Sequence, residues 1–175
     1  MTRNLKAHLK PLLLVASLAA ATTACANDFR AMNFGDACVG IARFEGLAGS
    51  TGVAQDGNVL QFFNGTLDGD PVGIYYSCPE GRFTSGVYMW RVWSIPEVEA
   101  LAGRLRASLT RTYGKPVSEI GKAKEVGSQL KLEAVEKLGA SWNSDAARIS
   151  LIVSGQFARG YWTVSVNYVD RRQQP

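Results

Sequence analysis

The side chains that could do chemistry in this chain are few. There is one histidine, His8, and it lies inside a segment that reads as an export signal. Once that segment is removed, no imidazole remains. Ser-His-Asp and Cys-His nucleophilic machinery, histidine general bases and histidine-bound metals are then excluded. Catalysis would have to run on carboxylates, lysine, tyrosine or serine. The acids in turn surroundings are Asp68, Asp70, Glu80 and Asp145. Two of them facing across a cleft would suit glycoside hydrolysis, but no spacing pairs them. Asp68-Gly69-Asp70 could begin a calcium loop, yet it lacks the further oxygen ligands at set spacing. It reads as a turn whose Asp side chains cap their own backbone. No catalytic residue, metal ligand set or cofactor is assigned.

Cysteine chemistry is more informative. Cys25 sits at the end of the export signal, which leaves Cys38 and Cys78. An even pair in an oxidising compartment predicts one disulfide. Two cysteines without a neighbouring histidine cannot complete a tetrahedral zinc shell.

The signal has three parts. Arg3, Lys6 and Lys10 form a positive start with no acid, residues 11–21 form an apolar core, and small residues follow up to Ala26. The apolar run is too short to span a bilayer, which takes about 20 residues. Two processing routes stand open. Ala24-Cys25-Ala26 fits cleavage before Asn27. Alternatively, Thr22-Thr23-Ala24-Cys25 resembles a bacterial lipobox in which Cys25 becomes the lipidated first residue, with Thr22 where that pattern prefers Leu. Ala26 lacks the acid that retains such lipoproteins in the inner membrane. The expected address is therefore the periplasm, free or tethered to the outer membrane by lipid, with no membrane contact beyond that anchor.

Residues 27–175 are read as a single domain, long enough for a sizeable core. Three of the nineteen basic residues and none of the fifteen acids fall in the signal, so this portion has a net charge of +1. Its charges are mixed in sign with no basic stripe, which argues against a nucleic-acid partner.

The elements follow from local patterns. Residues 27–33 read as a tether and 39–47 as a short helix. Strands are expected at 59–63, 72–78 and 83–93, with turns at Asn64-Gly65, at Asp68-Gly69-Asp70-Pro71 and at Pro79-Glu80-Gly81. Ser94-Ile95-Pro96-Glu97 is a capping box. Val98, Leu101, Leu105 and Leu109 then recur at helical spacing to Gly114 and Pro116, which predicts a long helix over about 95–112. Residues 117–130 read as an exposed connection and 131–137 as a strand. Strands at 140–143, 148–154 and 160–169 alternate apolar and polar residues, as in an antiparallel sheet with one wet face. The expected fold is α+β: one antiparallel sheet of about five to seven strands packed on one long helix.

Nine Tyr and Trp residues fall on these strands, and most should be core. Tyr75, Tyr88 and Tyr161 are the ones expected at the surface, where they are candidate contacts for a protein partner.

The run Tyr76-Ser77-Cys78-Pro79-Glu80-Gly81, followed by Ser85-Gly86-Val87-Tyr88, resembles periplasmic lysozyme inhibitors of the membrane-bound C-type class. Those combine a tyrosine-cysteine strand start with a later Ser-Gly-x-x-Tyr loop. Here Tyr88 comes one residue early and the loop follows the cysteine at once, so no individual functional residue carries over.

The expected function is a non-catalytic exported binding module, an inhibitor or immunity-type protein with a protein partner in the periplasm. The alternatives are a carboxylate-dependent hydrolase of envelope glycans and a structural lipoprotein.

Overall fold

The computed structural model describes residues 28–54, 59–119, 139–156 and 159–173. The expected export signal, Cys25 and the strand expected at 131–137 lie outside them. In chain order the strands are β1 (Thr51–Ala54), β2 (Leu60–Leu67), β3 (Asp70–Ser77), β4 (Ser85–Val92), β5 (Ser118–Glu119), β6 (Ala140–Asn143), β7 (Ala147–Gln156) and β8 (Tyr161–Asp170). The helices are α1 (Ile41–Leu47) and α2 (Ile95–Tyr113). The architecture is α+β as expected, but the described residues carry eight strands rather than five to seven. The additional ones are short or lie at edges: β1, in residues 50–58, which read from the sequence as a polar, glycine-containing loop, and β5, which falls within the expected connection.

All pairings are antiparallel, in the order β1-β2-β3-β4-β8-β7-β6-β5. β4 pairs with β8, so the last strand inserts beside a mid-chain strand at the centre of the sheet. α2 carries the chain from β4 towards the far edge at β5.

The β2–β3 hairpin shows why one expected turn is absent. Asn64-Gly65 lies inside β2, and the chain reverses at Asp68 (φ 53°) and Gly69 (φ 88°). Two consecutive positive φ values make the tight turn that matches strand twist. Gly65 has a different use: a Cβ there would stand 2.6 Å from Ser50 Oγ and 2.8 Å from Ile74 Cδ1. That glycine admits a neighbour rather than turning the chain.

One face of the sheet forms the core. Val72, Ile74 and Tyr76 of β3, Tyr88, Trp90 and Val92 of β4, and Val164 and Val166 of β8 are buried there, with Ile149, Leu151 and Val153 of β7. α2 lies over this side and buries Val98, Leu101, Ala102 and Leu109. Its start is the predicted reciprocal cap: Ser94 Oγ accepts from the Glu97 N–H at 3.4 Å, and Glu97 Oε2 accepts from the Ser94 N–H at 3.2 Å. The helix runs one residue past 112 because Tyr113 packs against the core. The expected helix at 39–47 begins as a 3₁₀ turn, Cys38–Gly40, and continues as α1. Cys38 is bonded to Cys78, with the Cα atoms 6.3 Å apart.

Residues 28–33 are not a tether. Phe29 is 2% exposed. Its ring centroid lies 4.7 Å from that of Tyr88 and 5.2 Å from that of Tyr76. A Cβ on Gly86 would come within 2.3 Å of the Phe29 ring, so Gly86 opens the slot that Phe29 fills.

Candidate functional site

The second face of the sheet has no described helix upon it. Strand pairing sets its rows. Phe62, Tyr75, Val87, Asn167 and Ser150 lie side by side across five strands, and Gly73, Met89, Ser165 and Ile152 form the next row. Phe62 and Tyr75 are half-buried against each other, with ring centroids 4.6 Å apart. Gly73 leaves a shallow depression bordered by Phe62, Tyr75, Met89 and Arg91. The Arg91 guanidinium stands 5.5 Å above the Tyr161 ring centroid, a cation–π arrangement. Trp93, 67% exposed, meets Tyr161 edge-on at 5.6 Å.

The electrostatics of this face follow from the same alternation. Three carboxylates occur in the described strands, and all take the helix side. Asp70 pairs with Arg104 of α2, Glu119 pairs with Arg106 of α2, and Asp170 pairs with Arg172. The strand positions pointing to the open face carry Arg91 and Arg148 and no acid among the described residues. The face is aromatic, hydroxyl-rich and cationic.

Of the three tyrosines expected at the surface, Tyr75 and Tyr161 are half-buried on or beside this face. Tyr88 is not at the surface: it is 8% exposed on the core side. Tyr88 and Trp90 share one side of β4, and α2 and Phe29 cover that side, which takes Tyr88 away from any partner. Phe62, Met89, Arg91 and Trp93 complete the cluster. Sequence reading missed them because their membership depends on which side of each strand the helices cover. The Ser85-to-Tyr88 run is the start of β4, not a loop, so the resemblance built on it does not extend to geometry.

Of the turn acids, Glu80 and Asp145 stand away from Asp68 and Asp70, which flank one turn. Asp68, Asp70, Glu80 and Asp145 are all exposed. Asp70 Oδ2 accepts a hydrogen bond from Arg104 Nη2 at 2.9 Å. Glu80 lies beyond the opposite end of β3, a strand of eight residues that spans roughly 25 Å. Asp145 is in the β6–β7 turn, with β8 and β7 between β6 and β4. No cluster of three or more metal-ligating side chains occurs among the described residues.

A buried ionic cluster sits beneath the other side. Glu45 is 0% exposed. It accepts hydrogen bonds from the Tyr76 hydroxyl and from Ser50 Oγ, the latter at 2.6 Å. Arg30 Nε approaches Glu45 Oε1 to 2.6 Å, as a charge contact rather than an aligned hydrogen bond. Burial works against the Arg30 charge, but Glu45 and the Tyr88 and Tyr76 hydroxyls outweigh it and hold the guanidinium above its ordinary pKa. Burial pushes Tyr88 up to about 12, with Arg30 pulling the other way. Burial and then the Glu45 hydrogen bond raise Tyr76 further. Every member faces a partner within the fold, so the cluster secures the N-terminal segment and α1 to the sheet.

No protein-family model matches this chain, and neither the curated proteins nor the solved structures give a significant match. No helix among the described residues is long and apolar enough to cross a membrane.

Proposed function

We propose that this is a non-catalytic exported protein that binds a folded partner protein of the cell envelope through the open face of its sheet, as an inhibitor or immunity-type protein does. One observation carries the reading: a sheet face with no described helix upon it, combining Phe62, Tyr75, Met89, Arg91, Trp93 and Tyr161 with no carboxylate from the described strands. Aromatic residues, methionine and arginine are the types enriched at protein interfaces. Rigid aromatic anchors contribute most of the affinity when desolvated. The absence of acid selects for a partner surface that is itself acidic, since like charges would otherwise oppose docking. Export follows from the N-terminal signal, and retention at the membrane depends on Cys25.

The test is capture from periplasmic extract with the mature chain and three glutamate variants. A stoichiometric partner should be retained by the wild-type chain and by Arg111→Glu on α2. It should be lost with Arg91→Glu and with Tyr75→Glu. Recovery of no stoichiometric partner, or equal recovery by all variants, sinks the reading. Mass spectrometry of the mature N-terminus separates the two forms: a diacylated or triacylated Cys25 marks a tethered protein, and an unmodified Asn27 a free one.

A further inference from the structure

The 3₁₀ turn at Cys38–Gly40 and α1 bury one side and leave the other exposed. Cys38, Ile41 and Glu45 face the core. Val39, Arg43 and Leu47 follow at spacings of four on the opposite side. Val39 is 94% exposed and Leu47 81%, the two highest values among the large apolar side chains described. The other exposed residues from 39 to 49 are Gly40, Ala42, Gly46, Ala48 and Gly49. Arg43 is thus the one polar side chain on this surface, and it has no carboxylate partner among the described residues. The acid of α1, Glu45, is fully buried. A surface that is apolar apart from a cation matches the interface of a phospholipid bilayer, where aliphatic side chains reach the acyl boundary and a guanidinium meets the phosphates.

The chain that precedes the described residues arrives at this helix. The Arg30 guanidinium lies 5.9 Å from the Phe44 ring centroid and 2.6 Å from Glu45. Cys25 is five residues before Arg30, a reach of at most about 18 Å, against a helix diameter of about 10 Å. We infer that the exposed side of α1 is a membrane-docking surface: in the chain carrying lipid on Cys25, Val39 and Leu47 enter the bilayer interface and Arg43 meets lipid phosphates. The inference rests on the lipidated form of Cys25 and not on the partner of the open face. It adds a membrane contact beyond the anchor expected from the sequence. Glu45 bonds Tyr76 on the core side of β3, so α1 and the open face lie on opposite sides of the sheet. A chain docked through α1 turns the open face away from the bilayer, towards a partner.

The probe is a protein-free vesicle of phosphatidylethanolamine and phosphatidylglycerol. With Cys38 and Cys78 joined, the mature chain beginning at Cys25 has its free thiol there, and a single myristoyl chain is coupled to it. One such chain binds membranes only marginally and reversibly, so a further contact shows in the partition. The Val39→Asp, Leu47→Asp double variant should partition at least about tenfold more weakly. Arg43→Glu should remove the dependence on phosphatidylglycerol, and Ile152→Asp on the open face should change nothing. A Val39→Ser, Leu47→Ser pair serves where the aspartates lower the urea midpoint. Equal partition of all variants overturns the inference, and so does an unmodified Asn27 terminus on the exported chain. Self-association of the uncoupled chain without vesicles, lost in the double variant, gives the surface to a second copy and overturns it as well.

Discussion

Arg30 Nε stands 2.6 Å from Glu45 Oε1, with side-chain exposures of 13% and 0%. This contact ties the segment around Arg30 to α1, and the Tyr76 hydroxyl extends it into β3. Removing one partner of a buried pair leaves the other charge uncompensated, at a cost of about 3–5 kcal/mol. Glu45→Ala should therefore lose about that much stability in urea unfolding, with the denaturant slope unchanged. A loss below about 1 kcal/mol would show that water reaches Arg30 and that the cluster does not hold the segment.

The Cys38–Cys78 bond closes a loop over a sequence separation of 40. In the chain-entropy model this restricts the unfolded chain by about 4 kcal/mol. The Cys38→Ser, Cys78→Ser double variant should unfold at lower urea by a comparable amount. Reduction of the wild-type chain with dithiothreitol should shift its midpoint in the same direction.

Asp170 is 2% exposed and accepts from Arg172 Nε at 2.9 Å and Nη2 at 2.8 Å. These hydrogen bonds hold its carboxyl below the ordinary aspartate range. The folded value is the depressed one, so the stabilisation is complete above a pH of about 4 and is lost as pH falls through the folded value. Thermal midpoints should fall over that acid range, and Asp170→Asn should flatten this part of the profile. Arg172 also donates to the Phe34 carbonyl at 3.1 Å, so the same acid step should loosen the contact between the two chain ends.

Tyr76, Tyr88 and Tyr168 are all raised above their ordinary value, chiefly by burial, Tyr88 to about 12. The folded state retains these protons where an unfolded tyrosine, near pH 10, gives them up. Their contribution to stability is complete below about pH 10 and disappears as pH rises through the folded values. Tyrosinate absorbance should show a cooperative step that coincides with loss of the circular dichroism signal. Smooth ionisation of all six tyrosines near pH 10 in a chain that stays folded would contradict the buried assignments.

Local signals were legible where the interaction is itself local. The α2 cap depends on Ser94 and Glu97, three residues apart, and the stripe Val98, Leu101, Leu109 repeats within one helix. β7 and β8 could be read from alternation because period two needs only the strand itself. The disulfide followed from an even cysteine pair beyond the segment that reads as an export signal, and the turn at Asp68-Gly69 from its residue types.

Tertiary structure decided the rest, because the deciding partner lies far along the chain. Gly65 reads as half of a turn until Ser50 and Ile74 are placed against it. Phe29 reads as tether until Gly86 opens a slot for its ring. Alternation along β4 separates Tyr88 and Trp90 from Val87, Met89 and Arg91, but it does not say which set is covered. That choice belongs to α2 and the N-terminal segment, which bury one side, while no described helix covers the other. The same choice took Tyr88 from the surface, joined Phe62 to Tyr75, and turned every described strand carboxylate away from the open face.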